Sequence, residues 1–172
     1  MTSPSPFVLD HLPRIPAGIA LDVACGAGRH TLAIARTGRT VEAIDRDPTA
    51  CALLAAQARA ERLPVRVACA DLERLAPRPA RYAVVVNTLY LDRLLVPSLC
   101  RALRPGGVLL FETFTVEQLA TGHPRNPAFV LWPRELLELV TGLEVLDYRE
   151  GPAVRDGRTM HLAALAARAP AA

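Results

Sequence analysis

The sequence predicts an α/β fold: a Rossmann-like, doubly wound sheet of five parallel strands plus an antiparallel C-terminal hairpin, with helices on both faces. Three observations predict it. An apolar run at 19–23 stops in the turn Cys25-Gly26-Ala27-Gly28 and leads into an Ala/Leu-rich run at 31–36, with Gly38 placed to end a helix. Four further apolar runs alternate with helical or short polar stretches, which is the sequence form of a parallel sheet. Two last runs flank Asp156-Gly157, a turn signal that folds one strand back on the other.

Residues 1–17 carry Pro4, Pro6, Pro13 and Pro16 around Phe7-Val8-Leu9 and read as an irregular N-terminal segment lying over the ligand edge, with one helical turn at most. In the first strand–turn–helix unit, Gly26 and Gly28 let the backbone pass close to a ligand, and unpaired N–H groups at the helix start point towards it. The second strand, Val41–Asp45, ends on an acid. Asp47 caps a helix at 48–62 whose first residue is Pro48, and Pro64 stops it. A third strand, Val65–Cys69, runs into a polar stretch holding Asp71, Pro77 and Pro79. The β-branched run at 82–87 has the pattern of a strand buried on both faces.

A helix at 96–103 then leads through Arg104-Pro105-Gly106-Gly107 to a fifth strand at 108–112. Residues 114–133 form a loop-rich region. Leu136, Leu137 and Val140 share one face of a helix at 134–140, and strands at 143–149 and 159–166 finish the chain. No repeat or composition break divides it, so residues 1–172 read as a single domain.

Composition narrows the function classes. With 51% hydrophobic and 22% charged residues the chain is an ordinary globular one, and no apolar run approaches the roughly 20 residues needed to span a bilayer. The N-terminus lacks a signal-peptide pattern, which predicts a cytoplasmic protein. The net charge of +3 is carried on scattered Arg residues without any Lys or like-charge block, so nucleic acid is an unlikely partner. Cys25, Cys51, Cys69 and Cys100 are far apart and the four histidines are dispersed, so no metal site is expected.

Asp45, Asp71, Asn87 and Glu112 all stand at carboxyl ends of predicted strands, where an open α/β sheet binds its ligands. Those ends should converge with the Gly26–Gly28 turn. An NAD fingerprint would need a third glycine where Thr31 stands, and no phosphate-loop Gly-Lys-Ser/Thr is present.

Leu21-Asp22-Val23-Ala24-Cys25-Gly26-Ala27-Gly28-Arg29, then Val41 to Asp45, Ala70-Asp71-Leu72 and Leu103-Arg104-Pro105-Gly106-Gly107 closely resemble class I S-adenosylmethionine-dependent methyltransferases, in that family's order and spacing. Tyr90-Leu91-Asp92-Arg93, Phe111-Glu112-Thr113-Phe114 and His123-Pro124-Arg125-Asn126-Pro127 resemble the small bacterial tellurite-resistance-type members. The resemblance implies that S-adenosylmethionine is the cofactor, with S-adenosylhomocysteine as product. Asp45 would take the ribose hydroxyls, Asp71 and the Leu72 N–H the adenine, and Gly26, Ala27 and Gly28 the methionine part. Asp22 would fix the turn or meet the ammonium, and Asn87 would lie near the methionine end or the methyl group. Cys25, Arg29 and Arg46 complete the implied cofactor set. Acids around the turn suit a cationic sulfonium where phosphate would not be held.

Methyl transfer is an in-line displacement that needs positioning at about 3–3.5 Å and exclusion of water, so a general base is not obligatory. If the acceptor must lose a proton, Tyr90, Glu112 and His123 are the candidates by position, and Arg125 would recognise an anionic acceptor. Asn87-Thr88-Leu89-Tyr90 lacks the two prolines of the Asn/Asp-Pro-Pro-Tyr/Phe motif of enzymes that methylate base or amide nitrogens. The expected partner is a small-molecule acceptor under the loop at 114–133. A non-catalytic S-adenosylmethionine- or S-adenosylhomocysteine-binding protein and an RNA methyltransferase are the alternatives.

Overall fold

The computed structural model describes residues 3–171. The first β-strand, β1 (Ala20–Val23), is buried along its whole length and pairs in parallel with β2 (Val41–Asp45) on one side and β4 (Tyr82–Thr88) on the other. Beyond β2 lies β3 (Val65–Cys69), and beyond β4 lies β5 (Leu103–Phe114). β6 (Glu144–Arg155) and β7 (Arg158–Arg168) form an antiparallel hairpin with β7 against β5, giving the order β3-β2-β1-β4-β5-β7-β6. The chain reverses its direction of travel across the sheet between β1 and β4, so a crevice opens at their carboxyl ends.

Helices cover both faces. On one, α1 (Pro6–His11) and α2 (Arg29–Ala35) place Phe7, Val8 and Ile34 against Ala20, Val84, Val86 and Leu110. α3 (Pro48–Ala60) packs Leu54 and Ala58 with Ala43 on that face. On the other, α4 (Val96–Ala102) and α5 (Glu135–Leu139) bring Val96, Leu99 and Leu136 onto Leu21, Val85, Leu109 and Leu165. Val84 and Val86 face one way and Val85 the other, the two-residue period of a strand.

Several expected boundaries move for local reasons. α2 begins two residues before the expected start, because Gly28, in the left-handed region at φ 81, supplies the N-cap. The Arg104–Gly107 turn lies inside β5, where the register against β4 shifts between Tyr82 and Val84. The hairpin runs further than expected, to a two-residue turn whose Asp156 and Gly157 both have positive φ. α5 is shorter than the expected 134–140, and the 114–133 loop contains the 3-10 helices Val116–Thr121 and Pro127–Phe129.

The N-terminal segment corrects the expectation of irregularity. Met1 and Thr2 lie outside the described residues, but Ser5 caps α1, and a 3-10 turn, Leu12–Arg14, follows. Ser5 does more than cap. Its N–H donates to His30 Nε2 at 2.9 Å, so the ring proton sits on Nδ1 and reaches Thr88 Oγ1 at 3.2 Å. Ser5 Oγ donates to Glu112 Oε2 at 3.0 Å and accepts from Arg155, which also pairs with Glu112. One serine therefore ties α1 to the ends of β4, β5 and β6 and to the start of α2.

Burial, with Arg29 and Arg155 nearby, pushes the His30 pKa down to about 3 from 6.5. The unfolded chain takes up this proton near pH 6.5 and the folded chain does not, so the stability tied to neutral His30 is complete above that pH and falls as pH drops through the window. Asp22, whose folded-state pKa is raised to about 6, works in the opposite sense below that pH, so the decline is read against a variant without the His30 titration. The stability of the wild type relative to His30→Asn in urea unfolding should fall as pH drops from about 7 to 4; an unchanged difference between the two would refute the assignment.

Candidate functional site

The site begins with a capping problem. Gly28 has no side chain to satisfy the first N–H groups of α2, and Asp22 on β1 supplies the missing acceptor: its Oδ2 takes Thr31 N–H at 2.9 Å and Thr31 Oγ1–H at 2.5 Å. The N–H groups expected to point at a ligand are thus partly occupied from within. Asp22 is 1% exposed. Burial raises its pKa to about 6 against the pull of the two Thr31 hydrogen bonds and of Arg29.

Between Asp22 and α2 the backbone makes a tight passage. Ala24 takes a left-handed φ of 50, Cys25 N–H donates to Ile44 O, and Gly26 N–H donates to Asp45 Oδ2 at 2.6 Å. At Gly28 a Cβ would lie 2.2 Å from Leu54 Cδ1, so glycine is required by packing as well as by φ. At Gly26 a Cβ would meet nothing within 4 Å. That position is an open cradle.

Asp45 ends β2 with both oxygens engaged by backbone, Gly26 N–H on Oδ2 and Asp47 N–H on Oδ1 at 2.9 Å. Each oxygen keeps a lone pair for a further donor. Asp71 lies past β3 and accepts Glu73 N–H at 3.0 Å. Both acids line a cavity of about 1000 Å³ with Ala24, Arg46 and Leu72. Its opposite wall comes from 89–95, after β4, and from Phe114, His123, Pro124, Ala128 and Phe129.

That opposite wall is held by two side chains. Asn87 Nδ2 donates to Tyr90 O at 2.8 Å, closing a turn in which Leu89 has φ 56, while Asn87 Oδ1 is buried without a partner. Arg93 forks onto Glu135, with Nε 2.6 Å from Oε1 and Nη2 2.9 Å from Oε2, and also donates to the carbonyls of Ala128 and Val130. One guanidinium bolts the 128–135 stretch to the β4–α4 connection.

The structure therefore gathers the predicted residues unevenly. Ala24, Asp45, Arg46, Asp71 and Leu72 form part of the cavity wall, Gly26 touches that wall through its bond to Asp45, and Ala27, Gly28 and Arg29 are not part of it. Cys25 is buried with its thiol on Gly26 O, and burial raises its pKa. Asn87 is buried behind the wall instead of facing the cavity. Of the possible bases, Tyr90 and His123 line the cavity; burial, then Asp92, Glu73 and Asp71, push the Tyr90 pKa up, which keeps its hydroxyl protonated at neutral pH. Glu112 is 2% exposed and tied to Ser5 and Arg155, so it serves the N-terminal latch and stands outside the cavity wall. Arg125 is exposed, its Nε 3.4 Å from Gly122 O, and is likewise absent from the wall.

The sequence pattern did not mark Leu89, Phe114 and Phe129 as wall residues or Glu135 as the anchor of Arg93; the first two lie within the stretches Asn87 to Tyr90 and Phe111 to Phe114 that the resemblance picked out. Among the described residues no group of three or more His, Cys, Asp or Glu is placed to hold a metal ion, and no helix is long and apolar enough to cross a membrane.

The family described as a methyltransferase domain matches residues 20–107, half of the chain. The chain belongs to that family. The match takes in β1 to β4, with Asp22, Asp45 and Asp71, and ends before the 114–129 part of the methyltransferase cavity. Ribosomal protein L11 methyltransferase from Dechloromonas aromatica is 38% identical over 102 residues, which are 58% of this chain and 33% of that one. Malonyl-[acyl-carrier protein] O-methyltransferase from Herminiimonas arsenicoxydans is 36% identical over 110 residues, 60% of this chain and 40% of the relative. The chain thus spans well under half the length of these curated relatives. TehB from Haemophilus influenzae superposes with a TM-score of 0.84 at 22% identity, covering 98% of this chain and 63% of that one, which shows the shared fold.

The Asp22 cap yields a stability prediction at pH 7. Asp22→Ala, which strands Thr31 N–H and its hydroxyl, should destabilise by about 2–4 kcal/mol in urea unfolding, while Asp22→Asn keeps an acceptor and should stay within about 1 kcal/mol of the wild type. Equal losses for the two would refute the capping role.

Proposed function

We propose that this chain is an S-adenosylmethionine-dependent methyltransferase acting on a small-molecule acceptor. The observation that carries the reading is that Asp45 and Asp71 line one cavity at the β1/β4 switch point, with the open Gly26 bonded to Asp45. The residues fit the cofactor. Asp45 has lone pairs to receive two ribose hydroxyls, Asp71 and the Leu72 N–H suit the adenine edge, and the space at Gly26 admits the methionine chain close to backbone. Acids supply the field that a cation needs, in a cavity at the upper end of the 300–1,000 Å³ range of small-molecule sites.

S-adenosylmethionine, when bound, supplies an electrophilic methyl group on a positive sulfur. The chain's own part is to bind, orient and keep dry. Asn87 and Arg93 fix the wall that carries Tyr90 and Leu89, and Phe114 lends that side an apolar surface. The protonated Tyr90 hydroxyl is placed to donate a hydrogen bond to an acceptor or to its product. The curated relatives are named for a ribosomal protein and for a malonyl group on acyl-carrier protein. Since the family match ends before residues 114–129, the acceptor is set by the part of the cavity that the match leaves out.

S-adenosylhomocysteine should raise the melting temperature of the purified protein, while NAD and ATP should not. Asp45→Asn should weaken S-adenosylhomocysteine binding by calorimetry about tenfold to a hundredfold, through loss of charge-assisted hydrogen bonds, and lower unliganded stability by about 1 kcal/mol at the Gly26 contact. No thermal shift at millimolar ligand would overturn the proposal.

A further inference from the structure

Resting on the methyl-donor reading, we propose that the acceptor is an uncharged molecule with an apolar body, admitted past Leu94 and Phe129, and that this site selects against anionic acceptors. The first observation is the lining. The lining includes an apolar set, Leu89, Leu91, Leu94, Phe114, Pro124 and Phe129, interspersed with polar side chains. Leu94 is 89% exposed and Phe129 53% exposed. Two large apolar side chains therefore stand uncovered at the mouth, where an apolar ligand would remove them from water.

The second observation is charge. Asp45, Asp71, Glu73 and Asp92 line the cavity, with Arg46, Arg74 and Arg93 as the guanidinium groups. Arg93 follows β4 in the wall, and four of its five N–H donors are spent on Glu135 and on the carbonyls of Ala128 and Val130. The fork that would bind a carboxylate or phosphate is already filled. Arg46 and Arg74 stand in the same lining as Asp45, Asp71 and Glu73. With Arg93 paired to Glu135, the four carboxylates outnumber the two remaining guanidiniums, so the lining carries a negative excess that disfavours an anion beside Tyr90. The carboxylates Asp92, Glu73 and Asp71 already oppose ionisation of the Tyr90 phenol there, with only Arg46 acting against them.

The third observation removes the residue that anion recognition would need. Arg125 sits outside the wall and is directed to Gly122 O. What remains on the acceptor side to orient a nucleophile is the Tyr90 hydroxyl, the His123 ring and Ser98, the last already accepting from Arg101 at 2.9 Å. These suit one neutral polar group on an aromatic or alkyl frame.

The test uses the intact protein saturated with S-adenosylhomocysteine and a matched pair of probes, 2-naphthol, neutral at pH 7, and 2-naphthoate, an anion of the same frame. Calorimetry should give 2-naphthol the tighter binding by about tenfold or more. Phe129→Ser and Leu94→Ser, at exposed positions that leave the melting temperature unchanged, should each weaken 2-naphthol about fivefold without altering S-adenosylhomocysteine affinity. Equal or tighter binding of 2-naphthoate, no binding of either probe at millimolar concentration, or indifference of both variants would overturn the proposal. Failure of S-adenosylhomocysteine to bind would instead strike the methyl-donor reading, and the probe pair, titrated on the free protein, would still rank the cavity's charge preference.

Discussion

A buried carboxylate sets the geometry on which the site depends. Asp22 reaches across from β1 to cap α2, and this fixes the angle between strand and helix. Given that angle, the intervening chain has room only for a left-handed Ala24, an open Gly26 and a Gly28 pressed against Leu54. The arrangement opposes two effects: burial, the larger, disfavours the charge, while two hydrogen bonds from Thr31 and the nearby Arg29 favour it. Burial wins by enough to raise the pKa to about 6, yet at neutral pH the group remains an ionised acceptor. The fold accepts a desolvated charge here because leaving the helix start unsatisfied would cost about 1–3 kcal/mol per stranded donor.

The same constraint reappears at the neighbouring strand. β4 ends as β1 does, in a left-handed non-glycine residue, Leu89, steadied by a buried polar side chain, Asn87. Such backbone costs roughly 1–3 kcal/mol and persists only where surrounding contacts dictate it. Here both instances flank the switch point, and both Ala24 and Leu89 face the cavity. Arg62, Ala80, Arg134 and Asp156 share this backbone region at other turns, so it is the placement of Ala24 and Leu89, where the chain leaves the sheet, that shapes the crevice.

The two sides of the cavity are built differently. The β1–β3 side consists of short turns whose backbone groups are satisfied by Asp22, Asp45 and Asp71, so its shape is set within a few residues of each strand. The far side draws on 89–95 and 114–129, regions with little regular structure, joined through Arg93 and Glu135 across 42 residues of chain. Gln118 adds a second tie, donating to His123 O and accepting His161 N–H from β7. A few buried polar contacts thus hold the wall where a helix would otherwise be needed.

How much of this was legible follows from the range of the forces involved. Strand period, the Asp47-Pro48 cap, the Gly26–Gly28 turn and acids at strand ends are written in adjacent residues, so the sheet, its helices and the donor-side acids could be read directly. Ser5 holding His30, Glu112 and Arg155, and Arg93 meeting Glu135, join residues 25 to 150 positions apart. No local pattern marks such pairs. For that reason Glu112, Asn87 and Arg125 looked alike in the sequence as polar groups near a ligand, and only packing separated a latch, a turn brace and an exposed loop residue from the cavity wall. The sequence by itself determined the α/β sheet and the residues at its carboxyl edge, because secondary structure and strand-end turns are short-range. The tertiary structure alone decided which of those side chains face the cavity and what charge it presents, because burial and ion pairing depend on distant parts of the chain.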